Sequence, residues 1–286
     1  MKHLYLLLLP LLLLSCQQDS TSVDTSTQGR IDVLIGSPDL SRAPVGATAE
    51  EKLIQQATVA LYDNKQAYLT HQTITANTQP QATLSFTGIA HSSLPVTAVV
   101  VANTVGAWEL TGVSSWPATT ATTPMSITNK ATAKELQKAS TPLAMCGSAT
   151  ATAAGTLTVP LRRPMAKLVL TNRSNVTIDY IAFSELNATF GTAPTFTPPA
   201  TSEAFTLTES PLLFASGSSR TYYFMPTAAS QALLEFRSGA TTKRVKLKTI
   251  TSNAQHPIEV TIDPAFNIDI TITVPDNWEE DDTQIL

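Results

Sequence analysis

Cysteine and charge are both scarce in this sequence. Only two of the 286 residues are cysteine, at Cys16 and Cys146, and charged residues make up 14% of the chain. Two cysteines allow at most one disulfide. The formal net charge of -4 and the pI near 5.6 give no basic patch that could bind a phosphate backbone, so nucleic acid is not expected as a partner.

Residues that carry enzyme or metal chemistry are also few. The histidines are His3, His71, His91 and His256. None lies at metal-ligand spacing from another ligand type, which argues against a histidine-based zinc or iron site. The adjacent acids Glu50-Glu51 and Glu279-Glu280 are unlike the separated carboxylates of glycosidases and are interpreted as solvated charge. With no glycine-rich phosphate loop, Gly-x-Ser-x-Gly elbow or Ser-x-x-Lys signature, the sequence predicts no enzyme activity and no metal or other cofactor.

The N-terminus reads as an export signal. A leucine-rich run from Leu4 to Leu14 follows Lys2 and is too short to span a membrane. It ends at Leu13-Leu14-Ser15-Cys16, which resembles a bacterial lipobox with Cys16 as the lipidated residue. The alternative is an ordinary signal peptide with a chance cysteine. We predict a signal peptide over residues 1–15 and a flexible polar tether over 16–29, and expect Cys146, left without a partner, to be a small core residue.

The rest of the chain is rich in threonine, alanine and valine, which favours an all-β protein. Short alternating segments separated by turn residues predict strands throughout, and the nearly continuous apolar run Val96 to Val101 predicts a strand central to its sheet. A loop-rich insertion follows this strand; within it, helical character is confined to Gly106–Leu110 and Lys130–Lys138, and Ser114–Thr128 reads as irregular. An aromatic run, Tyr222-Tyr223-Phe224, is interpreted as core packing, with a carbohydrate platform as the alternative.

A change of pattern near residue 160 predicts a domain boundary. Pro160 and Pro164 bracket Arg162-Arg163, and a new alternating run begins at Met165. We therefore predict an N-terminal β-sandwich domain over residues 30–161 and a C-terminal one over 162–286, each of ordinary size. Met165, Leu168 and Leu170 are expected in or beside the second core.

The stretch from Ile31 to Arg42 predicts one strand followed by an exposed loop. Ile31, Val33 and Ile35 form one apolar face, and the turn residues from Gly36 to Asp39 end the strand. The loop then presents Arg42 among small residues, where a trypsin-like protease could cut. A plain N-terminal strand with a surface loop is the alternative.

Several stretches, taken in order, resemble the fimbrillin family, the lipoprotein-derived subunits of type V pili. The matching features are the lipobox at Cys16, the strand Ile31–Ile35, the loop Ser41-Arg42-Ala43, the strand Ala57–Tyr62, the segment Val99–Thr104 followed by Trp108-Glu109-Leu110, the run Leu161–Leu168, and the late strand ending near Trp278. The resemblance implies two transthyretin-like β-sandwich domains in tandem with few short helices. It also implies a lipoprotein of the cell outer membrane that becomes a surface fimbrium serving adhesion.

The resemblance further implies cleavage after an arginine by a trypsin-like, gingipain-type protease, and polymerisation by strand exchange. Carried over to this sequence, Arg42 is the cleavage residue, Ala43 the mature N-terminus, and the strand Ile31–Ile35 the segment lost. Arg30 is the rival site, whereas Pro164 protects Arg163. The expected partners are other pilin subunits, the outer membrane through the lipid, an arginine-specific protease, and a ligand on a host or bacterial surface.

A candidate donor strand lies near the C-terminus, where β-branched residues alternate with polar ones. Its apolar face is formed by Ile268, Ile270, Ile272 and Val274. The alternative is that this segment is the last strand of its own domain, which would leave Trp278–Leu286 as the only mobile donor. The short chain and acidic end leave a minor, tip-proximal or anchor role open. A surface lipoprotein that binds glycan or host protein without polymerising is the alternative function.

Overall fold

The chain is an all-β protein in the computed structural model, which describes residues 28–36, 49–75, 77–106, 108–111, 126–129, 142–187, 189–190, 204–225, 232–247, 255–262 and 268–272. The strands are β1 Gln28–Gly36, β2 Ala57–Tyr62, β3 Tyr68–Ile74, β4 Gln81–Ala90, β5 Val96–Ala102, β6 Trp108–Thr111, β7 Ser126–Asn129, β8 Met145–Ala151, β9 Gly155–Pro160, β10 Ala166–Asn172, β11 Tyr180–Asn187, β12 Thr189–Phe190, β13 Ala204–Glu209, β14 Ser219–Phe224, β15 Leu233–Ser238, β16 Thr241–Lys246, β17 Gln255–Ile262 and β18 Ile268–Ile272. The described helical elements are the one-turn helix α1 at Ala49–Lys52 and a 3-10 turn at His91–Ser93.

The first sandwich consists of two sheets. In the β1 sheet the strand order is β4-β1-β9, and in the β2 sheet it is β3-β2-β5-β8. Strand β1 is antiparallel to β4 and parallel to β9. Strands β2 and β3 form an antiparallel hairpin, and β5 lies inside its sheet as its apolar run predicts. One face of β5 contributes Val100 to the first core and the other packs Val99 and Val101 in a separate small cluster, so both faces are buried, which explains the missing alternation.

The second sandwich repeats the first strand for strand. The β10 sheet has the order β14-β10-β17-β18, and the β11 sheet has the order β13-β11-β15-β16. As β1 does, β10 has an antiparallel neighbour, β14, and a parallel one, β17. Among the described strands, β18 is the addition that has no counterpart in the first sandwich. The two halves of the chain are therefore one architecture used twice.

The apolar core separates into two main clusters that follow the two sandwiches. The first includes Ile31, Val33, Ile35, Val59, Leu84, Phe86, Val100, Leu157 and Val159. The second includes Met165, Leu168, Leu170, Phe183, Phe214, Tyr222, Phe224, Leu234 and Phe236. The expected burial of Met165, Leu168 and Leu170 is confirmed, and the aromatic run Tyr222-Tyr223-Phe224 is buried core, as interpreted.

The insertion between β5 and β8 differs from the sequence prediction. Gly106–Leu110 was predicted to be helical, but Trp108–Thr111 is strand β6, paired with β7. Part of Ser114–Thr128, predicted irregular, belongs to β7, while Lys130–Lys138 lies outside the described residues. Strand β7 also pairs with β12 of the second half. Pairing with segments distant in sequence overrides the weak local preference here.

The chain between the two sandwiches is hydrogen-bonded to the first. The amide of Leu161 donates to the carbonyl of Gly36 at 3.0 Å, and Arg162 exchanges backbone hydrogen bonds with Cys146. A Cβ on Gly147 would lie 2.3 Å from the carbonyl oxygen of Pro160, so this close approach requires glycine. The domain division at residue 161 stays a prediction, and the connecting segment is fixed by backbone hydrogen bonds.

Candidate assembly site

Strand β1 is the inner strand of its sheet and carries the apolar face predicted from the sequence. Ile31, Val33 and Ile35 are each 0% exposed and belong to the first core. Their backbone is paired with β4 along one edge and with β9 along the other. Removing β1 would open a groove between two strands that are not neighbours, with apolar walls and unpaired N–H and C=O groups on both sides.

The outer face of β1 carries a polar cluster. Arg30 Nε lies 2.8 Å from Asp32 Oδ1, and Ser85 Oγ on β4 donates to the same oxygen at 2.6 Å. Arg30 Nη2 also donates to Ser85 Oγ at 3.0 Å. Hydrogen bonds from Ser85 and then Arg30 hold the pKa of Asp32 below its ordinary value of 3.8. This cluster ties β1 to β4 through side chains as well as backbone.

The predicted cleavage residues Arg42 and Ala43 lie outside the described residues, in the interval between β1 and α1. The rival Arg30 lies within β1 at a bulge, and its neighbours Gly29 and Ile31 are both paired with β4, so entry of this stretch into a protease cleft would require part of the strand to separate from its sheet. Arg163 is 1% exposed. Arg173 lies in an exposed turn after β10 and is a useful comparison site.

Downstream of that interval the chain is held by a residue that sequence reasoning missed as functional. Asn103 is fully buried, and its Oδ1 accepts from the amides of Gln55 and Gln56 at 2.9 and 3.3 Å. Its Nδ2 donates to the carbonyls of Leu53 and Leu143 at 2.7 and 2.9 Å. The sequence signal was a single asparagine directly after an apolar strand, a position that favours the left-handed φ of 55° seen here.

The interpretation of Glu50-Glu51 as solvated charge is wrong for Glu51. Glu50 is exposed, but Glu51 is 2% exposed and forms an ion pair with Lys167 at 2.9 Å. Helix α1 turns neighbouring side chains in different directions, so two adjacent acids need not share an environment. Local sequence gave no sign of the partner, which lies on β10 in the other half of the chain.

The candidate donor segment forms strand β18 over Ile268–Ile272, at the edge of the β10 sheet and antiparallel to β17. Ile268, Ile270 and Ile272 therefore lie on a strand of their own domain, and Val274 and Trp278–Leu286 lie outside the described residues. Strand β1 and the candidate donor strand β18 belong to different sandwiches. Within one chain the structure does not bring them together.

Other predicted sites have mixed outcomes. Cys16 lies outside the described residues, so its lipidation stays a prediction. Cys146 is a buried free thiol, as expected, and burial raises its pKa. Across the ranges that the structure describes, no helix has the length and apolarity to cross a membrane. In the same ranges no three histidine, cysteine or acidic side chains are grouped so as to hold a metal ion.

Comparison with known families assigns the chain. The sequence model of the major fimbrial subunit protein (FimA) family matches residues 31–179 of the 286. The chain therefore belongs to this family, and the resemblance noted in the sequence is confirmed. The match begins within the strand that fills the groove and includes the junction between the sandwiches. A search of curated protein sequences finds no match.

Three solved structures have a similar fold. A fimbrial assembly protein from Parabacteroides distasonis is 17% identical and aligns over 86% of this chain and 96% of that one, with a TM-score of 0.56. The tip fimbrial protein Mfa3 from Porphyromonas gingivalis, with a C-terminal truncation, is 11% identical over 88% and 100%, with a TM-score of 0.57. A candidate cell adhesion protein from Bacteroides eggerthii is 16% identical over 88% and 96%, with a TM-score of 0.59. At these identities the likeness shows the fold alone, and family membership supports a fimbrial or adhesive role.

Proposed function

We propose that this protein is a structural subunit of a cell-surface fimbrium that is exported as a lipoprotein, cleaved after Arg42 and polymerised by strand exchange. The observation that carries the proposal is the position of β1, an inner strand that can leave only by opening a groove through its sheet. The segment between β1 and α1 contains the arginine at which a protease would separate the strand from the rest of the chain. Adhesion to a host or bacterial surface is the proposed purpose.

The energetics of the groove favour its refilling. Burying Ile31, Val33 and Ile35 stabilises the first sandwich by about 5 to 9 kcal/mol, comparable with the stability of a whole domain. An emptied groove loses this burial and leaves backbone groups unpaired along both β4 and β9. A strand from another subunit would restore both contributions, which is the physical reason for polymerisation.

Strand β18 is the proposed donor. It is an edge strand hydrogen-bonded on one side by β17, and its sequence alternates β-branched and polar residues, so that every second residue is β-branched as in β1. An edge strand can separate from its sheet at lower cost than an inner one because only one ladder breaks. Since β18 and β1 lie in different sandwiches, its use as a donor joins separate copies.

N-terminal sequencing of protein taken from the cell surface tests the processing step. We expect a mature N-terminus at Ala43, and an Arg42→Ala variant that accumulates as a folded, unassembled precursor. Arg173→Ala, in an exposed turn, is the matched control and should assemble normally. A surface protein that begins at Ile31, or one that assembles without any cut, would contradict the mechanism.

The lipid anchor is tested separately at Cys16. We expect wild-type protein to incorporate labelled fatty acid and to fractionate with the outer membrane, since several acyl chains give firm attachment. Cys16→Ala should lose both properties. Labelling that persists in the variant would refute lipidation at this residue without bearing on cleavage after Arg42.

A second candidate is a surface lipoprotein that binds a ligand and never polymerises. It is favoured by the pairing of β18 within its own sheet, which leaves the monomer complete among the described strands. The two functions differ in the fate of β1, because a binding module keeps this strand and its lipid. The sequencing experiment therefore decides between them.

A further inference from the structure

A buried ionic cluster holds the chain a few residues after the proposed cleavage site at Arg42. Glu51 on α1 accepts at Oε1 from Lys167 Nζ at 2.9 Å, and the Tyr223 hydroxyl donates to the same carboxylate oxygen. The carbonyl of Glu51 accepts from Arg163 Nε and Nη2 at 3.3 and 3.1 Å. Main chain and side chain of one residue are thus both held by residues of the second half.

This cluster is almost fully removed from water. Glu51, Arg163 and Lys167 are 2%, 1% and 6% exposed, and Tyr223 is 4% exposed. Lys167 and Tyr223 are cross-strand partners on β10 and β14, so they form a rigid platform on one face of their sheet. Burial, and then the hydrogen bond to Glu51, raise the pKa of Tyr223, which keeps its hydroxyl a donor.

The position of the cluster along the chain suggests a role in assembly beyond a contribution to stability. Glu51 lies between the proposed cleavage site and β2, and the residues just before β2 are held by Asn103. A cut after Arg42 creates a new chain end on this short segment. When β1 leaves, the segment loses its covalent connection to the sheet beside it and could fray into β2.

We infer that Glu51 is a positioning residue that fastens the new N-terminal segment to the second sandwich. Fraying that follows the loss of β1 then stops at α1, and the groove stays open for a donor strand. This inference rests on the proposed function. The second sandwich takes no part in forming the groove, so an anchor placed on it is unaffected by the departure of β1.

The test uses the full chain with a recognition site for a sequence-specific protease inserted between residues 37 and 48. Hydrogen exchange is measured at the amides of residues 53–62 before and after the cut and release of β1. In the otherwise unaltered chain we expect these amides to keep their protection to within about threefold. In Glu51→Gln we expect protection to fall by about 100-fold after the cut, because the segment has then lost both its covalent connection to β1 and its ion pair with Lys167. Before the cut we expect a far smaller fall, because the connection to β1 is intact.

Glu50→Gln is the matched control, since it removes the same charge from the neighbouring exposed position. It should behave as the unaltered chain does. Equal loss of protection in Glu51→Gln before and after the cut would show an ordinary structural role and overturn the inference. So would full protection in the cut Glu51→Gln chain.

A second variant guards against general misfolding. Glu51→Gln combined with Lys167→Met removes both members of the buried ion pair, and we expect the uncut double variant to fold. After the cut it should lose protection as the single variant does, because the anchor is absent; retained protection would refute the anchor. The inserted site works whether or not Arg42 is the natural cleavage residue, so failure of the anchor and failure of the proposed processing give different results.

Discussion

At the scale of single residues, the buried side chain of Asn103 forms a network of hydrogen bonds with the backbone. Its amide group makes four hydrogen bonds, and its φ of 55° suits asparagine and glycine better than other residues. We expect Asn103→Ala to lower the free energy of unfolding by about 3 kcal/mol, measured by urea denaturation. Asn103→Gly should recover about 1 kcal/mol by relieving backbone strain. Asn175→Ala, at an exposed bend, should change little, and equal effects at the two sites would disprove the role of the network.

The polar cluster on β1 gives a pH prediction. Because the pKa of Asp32 is lower in the folded chain, its stabilising effect is complete above the ordinary value of 3.8 and is lost as the pH falls through the folded value. We expect Ser85→Ala to raise the pKa of Asp32 more than Arg30→Ala does, since Ser85 makes the larger contribution. NMR titration of the Asp32 carboxyl measures this, and the reverse order would count against it.

Residue-level prediction from sequence succeeded where periodicity carried the information and failed where a distant partner did. Ile31, Val33 and Ile35 were correctly placed in a core because alternation alone fixes a buried face. Glu51 was misjudged because its environment is set by Lys167, far along the chain. No local pattern distinguishes a paired buried glutamate from a solvated one.

At the scale of elements, the proposed role of β18 as donor gives a prediction about assembly. We expect deletion of residues 267–286 to leave a folded monomer, because β18 pairs on one side only, and to abolish polymer seen by electron microscopy. The monomer's fold is checked by circular dichroism. Normal polymer from the deleted chain would eliminate β18 as donor and return attention to another segment.

Most strands of both sandwiches were predictable, whereas β8 was not. Met145–Ala151 contains glycine and small residues without a clear alternation, and Gly147 is there to let Pro160 approach. That requirement belongs to the packed structure and leaves no hydrophobic signal in the sequence. The repeat of one strand order in the two halves could not be predicted from the sequence either, because two segments can share a strand order without sharing residues.

At the scale of the whole molecule, the second core draws on the first half of the chain. Trp108, Ile127, Leu143 and Cys146 belong to the second cluster although they precede the predicted boundary. We expect a fragment of residues 162–286 to unfold at least about 15 °C below the full chain in calorimetry, since loss of Trp108 alone opens a large cavity. A fragment starting at residue 104 should recover much of the difference. Equal melting of the shorter fragment would show that the boundary at 161 separates independent domains.

The hydrogen-bonded connection between the sandwiches has a mechanical consequence. Arg162 is bonded to Cys146 and Glu51 is bonded across to the second half, and both contacts lie outside β1 and remain after its loss, so a subunit resists flexing at its middle. A fibre made of such units would bend at the joints between copies. Its bending stiffness, and its response to fluid shear at a cell surface, would then be set by how tightly the donated strand is held between neighbouring copies.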